Sequence, residues 1–139
     1  MAQYFTRQID KYLAEWKDDR YRKPLLVRGA RQIGKSSAVR NFGKSFKYFV
    51  EINLEREQDL KELFGKNIDV KKICSQLSVL KQTPIVPSET LLFIDEIQES
   101  ERAIASLRYF YEDYPELHVV AAGSLLEFAL RELSSFGVG

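Results

Sequence analysis

Gly29-Ala30-Arg31-Gln32-Ile33-Gly34-Lys35-Ser36 is the stretch whose reading decides the fold. It fits G-x-x-x-x-G-K-[ST], the phosphate-binding P-loop pattern, which needs a strand before it and a helix after it. Before it lies Pro24-Leu25-Leu26-Val27-Arg28, a short apolar run behind a turn former, which reads as a buried strand. After it, Ala38, Val39 and Phe42 recur at helical spacing, and Gly43 offers a stop. Both flanks agree with the pattern. The competing reading is a glycine-bearing turn with a surface Lys35 and a helix-capping Ser36.

The residue types suit the chemistry. Glycine lets a backbone approach a phosphate in conformations that a side chain forbids. Backbone N–H groups of Gly29, Ala30, Arg31, Gln32, Ile33, Gly34, Lys35, Ser36 and Ser37, with the positive end of the following helix, would cradle the anion. Lys35 would reach the β- and γ-phosphates, and the Ser36 hydroxyl would serve Mg²⁺, a hard cation that keeps most of its waters.

Working outward, the remaining chain alternates strands and helices. Residues 4–17 place Phe5, Ile9, Tyr12, Leu13 and Trp16 on one helical face. This predicts a helix packed on the sheet, and it or the turn at 18–23 could also wall an adenine pocket. Residues 47–54 read as a strand. Residues 57–64 and 69–80 read as helices with Leu60, Leu63 and Phe64, then Val70, Ile73, Cys74 and Leu77, facing inward. The prolines of the 83–88 segment make it a loop. Residues 90–95 read as a strand and 100–113 as a helix with Ile104, Leu107, Phe110 and Tyr111 inward. Residues 117–122 and 125–133 read as a strand and a helix. His118 reads as a surface residue. The alternation predicts an α/β three-layer sandwich on a mostly parallel sheet, with ligands beyond the carboxyl ends of its strands.

A second motif lies at one such end. Leu91-Leu92-Phe93-Ile94 is apolar enough for a strand buried on both faces, and Asp95-Glu96 follow at once. Asp95 is placed to hold Mg²⁺, mainly through water. Glu96 is placed to orient or deprotonate the attacking water in phosphoryl transfer. The second acid suits a hydrolase better than a small-molecule kinase. No Asn-Lys-x-Asp tetrapeptide is present to read guanine, which favours ATP.

Length and composition set bounds. The 139 residues suit one domain, and 45% hydrophobic with 29% charged residues suits a globular protein. A lone cysteine, Cys74, excludes an internal disulfide and fits a small core hydrophobe. No apolar run has membrane-spanning length and the N-terminus is polar, so the expected location is cytoplasmic, with no membrane partner. The net charge of +1 conceals an asymmetry. Residues 1–47 hold 12 Lys/Arg against 4 Asp/Glu, a balance of +8, and residues 48–139 hold 9 against 16, a balance of −7. The basic third carries the phosphate loop, so it can favour a polyphosphate. A nucleic-acid surface is the sharper reading, with no motif to support it.

Arg28-Gly29-Ala30-Arg31-Gln32-Ile33-Gly34-Lys35-Ser36, Leu92-Phe93-Ile94-Asp95-Glu96-Ile97-Gln98 and Val120-Ala121-Ala122-Gly123-Ser124 together resemble a prokaryotic family of AAA-type P-loop ATPases. The likeness runs from about residue 20 to the end. It implies ATP binding and hydrolysis with Mg²⁺, and a core sheet of order 2-3-4-1-5. It implies that Lys35 and Ser36 serve phosphate and Mg²⁺, that Asp95 and Glu96 are the acidic pair, and that Ser124 falls at the sensor position facing the γ-phosphate. Ser124-Leu125-Leu126-Glu127 is equally a capping box. Asn53 resembles the polar switch that holds the catalytic glutamate idle, beside the plainer reading of a strand-end Asn.

Members of that family run on past this point, with a fifth strand, an arginine finger and further domains. The expectation is therefore an N-terminal portion of the nucleotide-binding domain, residues 1–139. Its first 20 residues form a helix packed on it, its sheet order is 2-3-4-1, and its fifth strand is missing. Strand one would be an edge with poorly covered apolar residues at 25–27, which self-association or the missing C-terminal parts would cover. Arg102 and Arg108 precede the fourth strand and are not nominated as the finger. Two rival readings remain. One is a nucleotide-dependent switch or interaction module, binding ATP or ADP with negligible turnover. The other is a small-molecule phosphotransferase, for which the sequence shows no acceptor pocket or lid arginines.

Overall fold

A computed structural model describes residues 2–28 and 34–123, with the backbone alone for residues 2–7, Arg28 and Lys35. The loop residues Gly29, Ala30, Arg31, Gln32 and Ile33, Ser124 with its expected sensor or capping role, and the helix expected at 125–133 lie outside the described residues. The elements in chain order are α1 (Ala2–Asp18), β1 (Leu25–Arg28), α2 (Lys35–Gly43), β2 (Tyr48–Asn53), a 3-10 helix (Gln58–Phe64), α3 (Val70–Leu80), β3 (Thr90–Asp95), a single 3-10 turn (Ile97–Glu99), α4 (Glu101–Asp113) and β4 (His118–Gly123).

The four strands form one sheet of order β1-β4-β3-β2, with every pairing parallel. The α/β architecture and strand order expected from the sequence are therefore present. Alternation along each strand divides the core in two. Leu25, Val27, Leu91, Phe93, Val120 and Ala122 face one side, under Leu13 and Trp16 of α1 and Val39 and Phe42 of α2. Leu26, Val50, Ile52, Leu92, Ile94, Val119 and Ala121 face the other, under α3, α4 and the 3-10 helix. β3 and β4 are buried at every position, as a parallel strand between helical layers must be.

This layering corrects the expectation for β1. It is an edge among the described strands, yet Leu25, Leu26 and Val27 are all buried. An edge leaves backbone N–H and C=O groups without a neighbouring strand. The side chains point above and below the sheet, where helices cover them.

Other differences have local causes. Residues 58–64 wind as a 3-10 helix, with Leu60 N–H donating to the Glu57 carbonyl at 3.0 Å. Arg102 closes its end, donating to the carbonyls of Phe64 (3.0 Å), Gly65 and Lys66. Tyr12 and Tyr111 are exposed, since each lies at the border of its helix's apolar stripe and carries a hydroxyl that favours water. Gly43 ends α2 without a left-handed backbone. Its role is close approach, because a Cβ there would lie 2.5 Å from Cδ1 of Phe49.

His118 is the main correction among the polar residues. It is buried at the start of β4, not on the surface. Its Nε2 lies 3.0 Å from the Lys17 carbonyl and its Nδ1 3.2 Å from Arg22 Nη2. Trp16 and Phe46 meet the ring edge-on. Arg22 also donates to the Glu116 carbonyl at 2.9 Å. The turn after α1 is thus anchored at the amino end of β4. A six-residue strand separates it from Gly123 by roughly 17 Å. That turn does not wall a pocket at the carboxyl ends of the strands.

Candidate nucleotide site

Because all four strands run parallel, their carboxyl ends share one edge of the sheet. β1 ends there at Arg28, immediately before the glycine-rich loop, and β3 and β4 end at Asp95 and Gly123. The loop returns into α2 through Gly34, whose backbone is left-handed at φ 74°. A side chain would be strained there even though the space around it is open. The Gly34 carbonyl then accepts from Ala38 N–H at 3.0 Å, closing the first turn of α2. The last glycine of the motif is thus required by backbone geometry.

Ser36, in that first turn, meets the second motif. Its Oγ donates to Asp95 Oδ2 at 2.9 Å, across 59 positions of sequence. Asp95 is 3% exposed. Its other oxygen, Oδ1, accepts from Glu96 N–H at 2.9 Å. Burial pushes the Asp95 carboxyl above its ordinary range, while the Ser36 hydroxyl and Glu96 N–H hold it back. Glu96 and Glu51 add a smaller upward push through like charge. A hydroxyl beside a buried carboxylate is a hard oxygen-donor pair, so it fits Mg²⁺. Among the described residues no group of three or more His, Cys, Asp and Glu could hold a metal ion by itself. Mg²⁺ takes one or two protein oxygens and completes its shell with phosphates and water.

Glu96 is buried and takes a left-handed backbone, φ 52° and ψ 46°. A non-glycine residue there costs about 1–2 kcal/mol. It caps the single 3-10 turn, and Glu99 N–H returns to its carbonyl at 3.1 Å. Its carboxylate accepts from Gln98 Nε2 at 2.7 Å. Strain at one acidic residue directly after a buried strand is a local departure of the kind found at functional sites.

Asn53 ends β2 directly beside Asp95. Its Oδ1 accepts from the N–H groups of Glu55 and Arg56, both at 3.0 Å. The side-chain oxygen is occupied in closing the following turn, as the plainer reading of a strand-end Asn expected. Arg40, one turn beyond Ser36, makes a bidentate pair with Glu51, both bonds 2.8 Å. Ser37 is exposed at the start of α2.

The match to the AAA domain family covers residues 21–139. The chain belongs to the AAA domain family. The match spans residues 29–37, both acidic residues and the end of β4 at Gly123, and begins after α1. AAA domains are nucleotide-binding units of ATPase type, and that general character extends to this chain. No match to a curated protein was found. Among the described residues no helix is long and apolar enough to cross a membrane.

Of the residues singled out by sequence, the structure brings together Gly34, Ser36, Asp95 and Glu96, with Lys35 supplied by the first turn of α2. Sequence reasoning assigned no role to Gln98 or Gly123. The available signal was the Ile97-Gln98 extension of the acidic motif. An amide two residues beyond a strand-end glutamate can turn back onto it only when the chain between them is tightly wound.

Proposed function

We propose that this chain binds ATP with Mg²⁺ on residues 29–37 and hydrolyses it. The bond from Ser36 Oγ to Asp95 Oδ2 carries the reading, because it joins the two halves of a phosphate site that are far apart in sequence. Lys35 would neutralise the β- and γ-phosphates, and loop N–H groups with the α2 N-terminus would hold their oxygens. Ser36 and, through water, Asp95 would hold Mg²⁺, which when bound offsets phosphate charge and fixes the orientation of the triphosphate. Glu96 would accept a hydrogen bond from the attacking water and draw off its proton. Ser124 would face the γ-phosphate. Positioning and charge stabilisation supply most of the catalysis in such transfers, so few groups are required.

Calorimetric titration with Mg²⁺·ATP, beside Lys35→Ala, tests the reading. Binding by the parent chain that is lost in the variant supports a working phosphate loop. Equal binding by both removes Lys35 from the site, and no binding by a folded parent removes the assignment altogether. Where turnover is measured, Glu96→Gln is expected to lower it strongly, to a residual rate, while leaving binding intact.

A further inference from the structure

The Glu96 carboxylate is reached from its own chain, two residues on. Gln98 Nε2 donates to Glu96 Oε1 at 2.7 Å, a short bond to a charged acceptor. The geometry is held from both sides. Glu96 caps the 3-10 turn that carries Gln98, and Ser100 N–H returns to the Ile97 carbonyl at 3.1 Å. Ser100 Oγ then accepts from Ala103 N–H at 3.1 Å and starts α4. On the other side, the end of β4 approaches very closely. A Cβ on Gly123 would lie 2.9 Å from Gln98 Oε1 and 3.4 Å from Ile97 Cγ2. Gly123 has no positive φ, so what a side chain there would disturb is the position of Gln98 and not the backbone. The resemblance put a polar switch that holds the glutamate idle at Asn53, whereas the side-chain amide bonded to Glu96 here is that of Gln98.

We propose that Gln98 is the positioning residue for Glu96, and that Gly123 supplies the space in which it works. The inference rests on the hydrolase reading of the site. By holding Oε1, the amide fixes the orientation of the carboxylate toward the strand ends. It also links the glutamate to the strand end that leads into Ser124, so a shift of β4 on nucleotide binding would reach Glu96 through Gln98.

The test uses the full chain in two arms. In the first, side-chain amide resonances are recorded by NMR without nucleotide. One Gln98 amide proton is expected downfield, and it is expected to move upfield in Glu96→Ala. An unmoved resonance overturns the proposal whether or not the protein hydrolyses ATP. In the second, steady-state hydrolysis is compared for the parent, Gln98→Met, Glu96→Gln and the double variant. Loss of one hydrogen bond to a charged group predicts about a tenfold fall in kcat for Gln98→Met, with KM little changed. The double variant should be no slower than Glu96→Gln alone, since Gln98 acts through Glu96. Gly123→Ala, which displaces Gln98 without removing it, should fall in the same direction. Unchanged kcat in Gln98→Met, or a further loss in the double variant, overturns the proposal. If the parent binds but never turns over ATP, the hydrolase reading and this role fall together. The NMR arm then shows that the bond exists without the function.

Discussion

Ser36→Ala perturbs the one contact that joins the two motifs, and its cost follows from the burial of Asp95. The variant leaves Oδ2 of a carboxylate that is 3% exposed without its hydroxyl donor. Hydrogen bonds to charged groups contribute about 1.5–3 kcal/mol. Ser36 is half-buried, so water can partly replace it, which puts the expected loss near the lower figure, about 1.5–2 kcal/mol. For a domain of this size that lowers Tm by roughly 5–7 °C. The effect carries a pH signature. Burial raises the folded-state titration of Asp95 above its unfolded one, so its ionised form costs stability at neutral pH. That cost disappears as pH falls through the folded titration. The Ser36 bond favours the carboxylate and offsets the cost, so the penalty of Ser36→Ala is full at neutral pH and shrinks in acid. In an Asp95→Asn background the lost bond is between neutral groups, and the penalty falls to about 1 kcal/mol. Asp95→Asn alone should match or exceed parent stability at neutral pH while weakening the response of nucleotide binding to Mg²⁺. Urea denaturation of the four proteins without nucleotide, at neutral pH and at about pH 4, measures each quantity. A Ser36→Ala penalty below about 0.5 kcal/mol, or one that is the same in both backgrounds, would refute the reasoning.

Two further outcomes are expected. Gly43→Ala should cost about 1–3 kcal/mol through overpacking, because the added methyl meets Cδ1 and Cγ of Phe49 near the base of the ring, at 2.5 and 2.8 Å. Thermal denaturation of Gly43→Ala beside Gly43→Ala/Phe49→Leu checks the cause, since only the double variant makes room, and an unchanged Tm in the single variant would dismiss the contact. Burial holds the His118 imidazole below its ordinary value of 6.5, so its contribution to stability is present above that pH and is lost as pH falls through the depressed folded titration. His118→Phe keeps the ring contacts and should show a flatter fall in Tm on acidification than the parent, and parallel curves for the two would count against the assignment.

The fold was legible where pattern and layer coincide. Apolar runs at 25–27, 91–94 and 119–122 marked strands, the run at 91–94 one covered on both faces, and the spacing of Val70, Ile73, Cys74 and Leu77 marked one face of α3. Legibility failed where a residue's surroundings come from distant sequence. His118 read as a surface residue because a lone polar side chain at a strand start usually meets water. Here α1, the turn after it and Phe46 converge on the ring from far along the chain. Strand one read as uncovered because sheet order predicts edges and says nothing of the layers above and below.

The sequence by itself determined that a stretch of phosphate-loop pattern stands between a strand and a helix, that an acidic pair ends a buried strand, and that the two belong to one α/β sheet. These follow from local spacing, because glycine, Lys-Ser and Asp-Glu must stand in fixed order on short segments. Only the tertiary structure decided that Ser36 reaches Asp95, that Glu96 adopts a left-handed backbone, and that Gln98 turns back onto Glu96 beneath Gly123. Each of those depends on the distance between chain ends or on the volume left by a neighbour. Packing sets such distances and volumes once the sheet has brought β1, β3 and β4 together, and no local pattern encodes them.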